Sequence, residues 1–378
     1  DADLQKNMFV EILEPLSRRF KEVCTATVDS PAGSSSTEHL KMQHELVDLL
    51  QCFDGVARAS QAHSAYILFR VMEPVLETCA ALVRTSQSAA VVTAVLTLIQ
   101  NVTTKISIYI DNETDSAKLY TSLLSTVDAY RATHGSRFIG MSSDDEEKAA
   151  DLVLFMEILS NVLSKDILEY AEDRQLTGSK VAMTSLEMLM CVMNESLLQH
   201  PEVVTRFYRL ILYLVEFCPE SLTVMTEQLL HSMCACLSAG LTSKFGTEIT
   251  SVCLETLSGV ASFFTENRHK ANEDVIKQLH LMLPMVFEAC LENSCEASLF
   301  SEAVGSLYAL ICFDQAFFDS FVRDLLSSKS NATAASKLQT AFAALFPEPP
   351  QAGRRERIAF RGRMETFLNE IQGLLWMH

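Results

Sequence analysis

The stretch DLVLFMEILSNVLSKD, residues 151–166, constrains the fold of this chain more than any other segment. Its apolar residues cover too much of a helix circumference for a helix that lies on a surface. Such a helix must be packed on two sides, with Glu157, Ser160 and Asn161 left to face outward or a neighbour. Similar segments recur along the chain, so we predict a stack of helix pairs.

Composition favours an almost entirely helical protein. The 378 residues include only 12 glycines and 9 prolines, each about half of the usual shares of ~7% and ~5%. Apolar residues follow a 3.6-residue period, and alternating β-branched patterns are rare. Fifteen helices are predicted, over residues 4–24, 38–59, 63–84, 88–109, 116–134, 144–166, 180–198, 201–217, 221–239, 246–266, 274–292, 297–311, 316–328, 330–346 and 356–376. Pro15 and Pro74 are expected to kink or interrupt their helices.

The most apolar helices recur at intervals close to those of a two-helix repeat. Their central residues lie 47 to 58 residues apart, at Leu49, Leu98, Met156, Leu210, Leu257 and Leu307. A HEAT unit needs ~40–47 residues, and the excess corresponds to a loop. We therefore predict an all-α fold, an α-solenoid of HEAT-like helical hairpins, continuous over residues 1–378. Because the chain opens inside a helical pattern, we expect it to be a fragment.

The net charge of -18 restricts the partners that this chain can bind. Nucleic acid needs a basic face, and an anionic membrane surface also attracts cations, so both are disfavoured. No uninterrupted apolar run reaches the ~18 residues that a membrane span needs. A basic protein is the natural complement, although simple solubility explains the charge equally well.

Catalytic and metal sites are not indicated by the sequence. A phosphate-binding loop, a dinucleotide-binding glycine pattern, a nucleophile elbow and a zinc-protease motif are all missing. His231 and Cys234 could share a helix face, but no second ligand pair follows at zinc spacing, so core packing is the default reading. We predict no enzymatic activity and no cofactor. The eleven cysteines lie mostly in apolar stripes and suggest a reducing compartment, the cytosol or nucleus.

Two acidic segments are candidates for contact with a partner. Asp111, Glu113 and Asp115 belong to IDNETD, which is predicted to be a turn, so either turn chemistry or partner contact accounts for them.

The second acidic segment is SDDEE, which contains Asp144, Asp145, Glu146 and Glu147. Ser143 and Glu146 have the spacing of a capping box, with the remaining acids near the positive end of the following helix. Helix capping accounts for every residue of this segment and is therefore favoured over an acidic patch for a basic partner, which is the alternative.

Several stretches, taken in order, resemble the carboxyl-terminal part of the exportin-4 family of the importin-β superfamily. They are ILEPLSRRFKEVC (12–24), AYILFRVMEPVLETC (65–79), DEEKAADLVLFMEILSNVLSKD (145–166), RFYRLILYLVEFCPE (206–220), CLETLSGVA (253–261), IAF (358–360) and METFLNEIQGLLWMH (364–378). The resemblance spans essentially the whole chain but only about the last third of a family member. The loops SPAGSSST and LTSKFGTE follow no family pattern.

The resemblance implies a nuclear export receptor that shuttles between nucleus and cytoplasm. Such a receptor binds cargo together with the small GTPase Ran in its GTP form and releases the cargo when GTP is hydrolysed. Members of this family carry the hypusine-containing translation factor 5A, whose cationic side chain enters an acidic pocket. The amino-terminal repeats that make the main Ran contact would lie outside this chain. The alternative is a general HEAT or armadillo interaction scaffold without Ran coupling.

Overall fold

In the computed structural model, the fifteen α-helices predicted from the sequence are all present. The structure describes residues 2–29, 36–86, 88–110, 112–139, 146–164, 178–242, 245–292, 297–328 and 332–371, and these ranges contain no β-strand. The helices are α1 Ala2–Asp29, α2 Ser36–Ala59, α3 Ala65–Thr85, α4 Ala89–Asn101, α5 Glu113–His134, α6 Glu146–Ser164, α7 Gly178–Val192, α8 Pro201–Phe217, α9 Glu227–Leu241, α10 Thr247–Glu266, α11 Glu273–Glu292, α12 Ala297–Phe313, α13 Gln315–Ser327, α14 Ala332–Leu345 and α15 Arg354–Ile371. The predicted all-α fold of repeated helical hairpins is confirmed.

The helices form two compact units, Asp1–Leu210 and Ile211–His378. In the first unit, α1, α3, α5 and α7 pack side by side in one layer, while α2, α4 and α6 form the second. Successive helices pair across the two layers, as HEAT-like hairpins do. The prediction of one continuous solenoid over both units stays a prediction.

Partly buried hydrogen bonds tie the second layer of the first unit together. Asn101 of α4 donates to Asp54 of α2 over 2.7 Å, and Thr93 of α4 donates to Asp151 of α6 over 2.7 Å. Both aspartates are only 5% exposed. Buried polar groups need partners, so these two bonds fix the register of three neighbouring helices.

Prolines do not interrupt the helices that contain them. Helix α1 runs through Pro15 and α3 runs through Pro74, so the predicted break at Pro74 is wrong. A proline removes one backbone hydrogen bond from a helix. Buried side chains on either side, such as Met72 and Val75 in α3, hold the helix against its neighbours and offset that loss.

The helix predicted over residues 88–109 changes its winding near its end. The α-helical part stops at Asn101, and a π-helical segment, Val102–Ile106, and a 3₁₀ turn, Ser107–Tyr109, follow. The hydroxyls of Thr103 and Thr104 each donate to the carbonyl of Gln100 over 2.7 Å. These bonds compete with regular helix hydrogen bonding, which is a physical reason for the change.

One described helix, Ala89–Ile106, has the length and composition of a membrane-crossing segment. Half of it is buried inside the protein. The prediction from the sequence rests only on uninterrupted apolar runs. This segment is not such a run, because it contains polar residues, including Asn101 and Lys105. Helices α12 and α13 pass the same test only as a bent pair.

Within the second unit, alternate helices also pack side by side, with one interruption. Helix α11 packs beside α9, and α12 packs beside α10. Helix α13 then leaves the end of α12 at an angle of 112°. Beyond it, Phe360 of α15 packs on Tyr308 of α12, with ring centroids 5.0 Å apart. Phe342 of α14 lies 6.0 Å from Phe287 of α11, so α13 is inserted into the regular order of pairs.

Gly259 allows α8 and α10 to approach each other closely, and its replacement gives a stability prediction. A Cβ atom at Gly259 would lie 2.9 Å from Cγ1 of Val215, whereas one at Gly55 in α2 would meet nothing within 4 Å. Alanine stabilises a helix interior by about 0.5–1 kcal/mol relative to glycine, and overpacking costs about 1–3 kcal/mol. We expect Gly55→Ala to stabilise the protein and Gly259→Ala to destabilise it.

Chemical unfolding of the two variants and the parent protein measures both shifts. Gly55→Ala is the control, because it measures the higher helix propensity of alanine over glycine where the added Cβ meets nothing within 4 Å. Equal shifts of the free energy of unfolding in the same direction would show that Val215 moves aside without loss of stability.

Candidate partner-binding surface

The acidic segment predicted to be a turn is partly helical. Asn112 caps α5 by accepting from the backbone N–H of Thr114 over 3.0 Å and from that of Asp115 over 3.4 Å. Glu113 and Asp115 therefore lie in the first turn of α5, where the positive end of the helix favours carboxylates. Asp111 lies outside the described residues.

Asp115 is placed inside the protein rather than on its surface. Its exposed fraction is 1%, and its Oδ2 lies 3.1 Å from the guanidinium of Arg70 on α3. Lys118 donates to Glu73 over 2.6 Å, so a second ion pair joins the same two helices. Asp115 is therefore not available at the surface for the predicted partner contact, and Glu113 is the exposed acid of the described part of this segment.

The second acidic segment coincides with the start of α6. Glu146 and Glu147 are the first two residues of α6, and the structure describes their backbone only. Asp144 and Asp145 lie outside the described residues. The predicted capping role of Ser143 lies outside the described residues. A partner-binding role for these four residues stays a prediction.

A different group of acids is brought together by the stacking of helices in the second unit. Glu216 on α8, Glu255 on α10 and Glu302 on α12 are all exposed, and none forms an ion pair with any described residue. Partial burial raises the pKa of Glu255, and the charges of Glu302 and Glu216 raise it further. We call these three residues the acidic row.

The acidic row was not identified from the sequence. Its members are 39 and 47 residues apart, close to the length of one helical repeat. Each stands alone on an apolar helix, so no local cluster of charge draws attention to it. A search for carboxylates that recur at the repeat interval would have found them.

The acidic row faces outward with unbalanced charge, and this determines what it can do. Three carboxylates with the same charge repel each other, which disfavours ionisation of the central one. A cationic group placed against them would relieve that repulsion. The arrangement is therefore suited to attracting and orienting a basic partner.

The histidine and cysteine that the sequence singles out, His231 and Cys234, have packing contacts in the structure. The side chain of His231 contacts Gln278 through a 3.2 Å hydrogen bond, and Cys234 is buried. Burial raises the pKa of the Cys24 thiol to about 12 and that of the Cys236 thiol to about 11, which makes thiolates scarce at neutral pH. Within the described ranges, no group of three histidine, cysteine or acidic side chains could hold a metal ion.

No known family model matches this sequence.

Proposed function

We propose that this chain is the protein-binding part of a nuclear export receptor. Together with Ran in its GTP form, it binds a basic protein cargo, the hypusine-containing translation factor 5A, and shuttles between nucleus and cytoplasm. The proposal rests on the resemblance to the exportin-4 family and on helical hairpins that offer a large surface. The observation that carries it is the acidic row, which is suited to a cationic side chain.

The electrostatics of the acidic row support a binding role. Because the pKa of Glu255 is raised by folding, ionisation of this carboxyl disfavours the folded state at neutral pH. That cost disappears as the pH falls through the folded-state pKa. Surface charge that opposes folding is expected where function requires it, as at a site for a cationic partner.

Neutralising the acidic row tests this proposal. We expect the combined substitutions Glu216→Gln, Glu255→Gln and Glu302→Gln to weaken binding of the cargo by about tenfold and to reduce its salt dependence. Titration of the cargo at several salt concentrations measures both effects. A comparison of cargo with and without hypusine shows whether the cationic hypusine side chain contacts the acidic row.

The matched control changes net charge equally at other places. Glu77, Glu187 and Glu370 are exposed acids without ion pairs to described residues, and their replacement by glutamine should alter affinity less than twofold. Equal losses in the two triple variants would mean that only total charge matters.

Ran coupling is tested separately with the same cargo. If the chain belongs to an export receptor, its affinity for the cargo should rise when Ran·GTP is added and should not rise when Ran·GDP is added. Binding that ignores the nucleotide would favour an interaction scaffold instead. In that case the acidic row would still mark the partner surface.

A further inference from the structure

An apolar groove lies along α11 and the beginning of α13. It encloses about 460 Å³. The residues lining it are Glu273, Ile276, Lys277, His280, Leu281, Pro284 and Phe317. Leu281 is 56% exposed, so a large aliphatic side chain points into solvent at the groove.

Helix α13 leaves part of its apolar surface uncovered, and Phe317 of that part lines the groove. Phe318 is the only buried residue among those described for this helix. Its other large apolar side chains are half-exposed: Phe317, Phe321, Val322, Leu325 and Leu326. Helix α11 buries one face, including Leu279 and Leu283, against its neighbours, and presents a second apolar face to the groove. Helix α11 thus lines most of the groove and Phe317 of α13 forms one wall, a surface of the kind that receives an amphipathic helix.

The shape of the groove is fixed by one carboxylate. Asp314 accepts a hydrogen bond from Nε2 of His280 over 3.0 Å, and from the backbone N–H of Phe317 over 3.1 Å. The rings of His280 and Phe317 are stacked 3.7 Å apart and are parallel within 2°. Two walls of the groove are therefore held together before any ligand arrives, which reduces the ordering cost of binding.

The charges along the groove favour a basic occupant. Glu273 lines one end. By helical spacing, Glu288 lies one turn beyond Pro284, and Asp324 lies two turns beyond Phe317. These three acids are exposed and form no ion pair with a described residue, while Lys277 supplies one positive charge.

Net charge disfavours a second copy of this chain as the occupant. Two molecules that each carry a charge of -18 repel each other. A partner with lysine or arginine beside its apolar residues would instead be attracted to the rim of the groove.

We propose that the groove between α11 and α13 is a docking site for an amphipathic, basic helix of another protein. The apolar stripe of that helix contacts Leu281, Pro284 and Phe317. Its lysine or arginine residues face Glu273 and Glu288, which are separated by about four turns of α11. This site is distinct from the acidic row and does not depend on Ran or on nuclear export.

A synthetic helical peptide of about five turns tests the site directly. The probe carries leucine and phenylalanine at i, i+3, i+4 and i+7, with lysine on both flanks. We expect the intact protein to bind this peptide and Leu281→Ser to weaken binding by about tenfold. The control is Ile358→Ser on α15, because Ile358 is 62% exposed and does not line the groove. It should leave the affinity unchanged.

A second pair of measurements tests the charge of the occupant. A peptide with the same apolar stripe but glutamate on its flanks should bind at least tenfold more weakly, and Glu273→Lys combined with Glu288→Lys should reduce that difference. Equal affinity for the two peptides would overturn the proposal, as would equal effects of Leu281→Ser and Ile358→Ser. Self-association of the protein that Leu281→Ser abolishes would identify a second copy as the occupant and would also overturn it.

Discussion

Replacing Phe287 with alanine should destabilise the last helices of the second unit by about 3–5 kcal/mol. This side chain is 4% exposed on α11. Its ring contacts Phe321 of α13 at 5.5 Å, Phe342 of α14 at 6.0 Å and Phe367 of α15 at 6.5 Å, between centroids. One ring therefore connects four helices, and its removal leaves a cavity that several backbones would have to move to fill.

The effect should be confined to part of the chain. Stability in a repeat protein is carried by neighbouring units, so losing one contact loosens the helices next to it. Hydrogen exchange should accelerate in α13, α14 and α15 and change little in α1 to α5. Chemical unfolding should show a shifted or separate transition for the destabilised part.

Phe217→Ala is the matched control for the loss of a phenylalanine ring. Phe217 is 41% exposed at the end of α8, so its removal should cost less than about 1 kcal/mol. If both variants lose the same stability, or if Phe287→Ala accelerates exchange uniformly along the chain, the shared aromatic contact does not hold the last helices together.

The helices could be predicted from the sequence because each buries apolar residues at helical spacing. Helix α8 has the predicted bounds, Pro201–Phe217, since a proline begins it and Pro219 follows its end. The sequence predicts that α9 starts at residue 221, whereas the helix begins at Glu227. Residues Pro219–Thr223 form a 3₁₀ turn, and Thr226 caps the helix by accepting from the N–H of Leu229 over 3.2 Å.

The partner surface could not be predicted in the same way, because it depends on contacts between distant residues. Asp115 is close in sequence to other acids, yet it is buried where α5 packs on α3, beside Arg70, which lies 45 residues earlier. The acidic row has the opposite character, since its three glutamates are far apart in sequence and come together only through stacking. Local charge density thus identified a carboxylate that is internal and did not identify the exposed row.

The inserted helix α13 also follows from a contact that local sequence does not encode. Its apolar pattern predicted a helix over residues 316–328, and the structure has Gln315–Ser327. Nothing in that pattern specifies the 112° angle after α12. The angle is maintained by Asp314, which joins the beginning of α13 to two other segments of the second unit.

Asp314→Ala is therefore expected to release α13 selectively, with a loss of about 2–3 kcal/mol from the cap and the charged hydrogen bonds together. Besides the bonds to His280 and Phe317, the Asp314 carboxylate lies 3.3 Å from the guanidinium of Arg268. Arg268 also donates to the carbonyl of Phe313 over 2.9 Å and stacks on its ring at 3.9 Å. Hydrogen exchange in α13 should accelerate far more than in α10 and α12.

The same interactions predict that the stability contributed by Asp314 depends on pH. Burial alone would raise the pKa of Asp314, but hydrogen bonds from Phe317 and His280 and the charges of His280 and Arg268 hold that pKa below its ordinary value. A carboxyl with a lowered folded-state pKa stabilises the fold above its unfolded-state pKa, about 3.9 for aspartate. That stabilisation is lost as the pH falls through the folded-state pKa.

Two further variants separate the cap from the charge at this position. Asp314→Asn keeps an oxygen that can accept from the N–H of Phe317, so it should retain part of the stability of α13 and lose its acid dependence. Asp319→Ala removes an exposed acid from the same helix and should change exchange in α13 only slightly. If Asp314→Ala resembles Asp319→Ala, the orientation of α13 is set by its apolar contacts, and the groove beside it does not depend on the carboxylate.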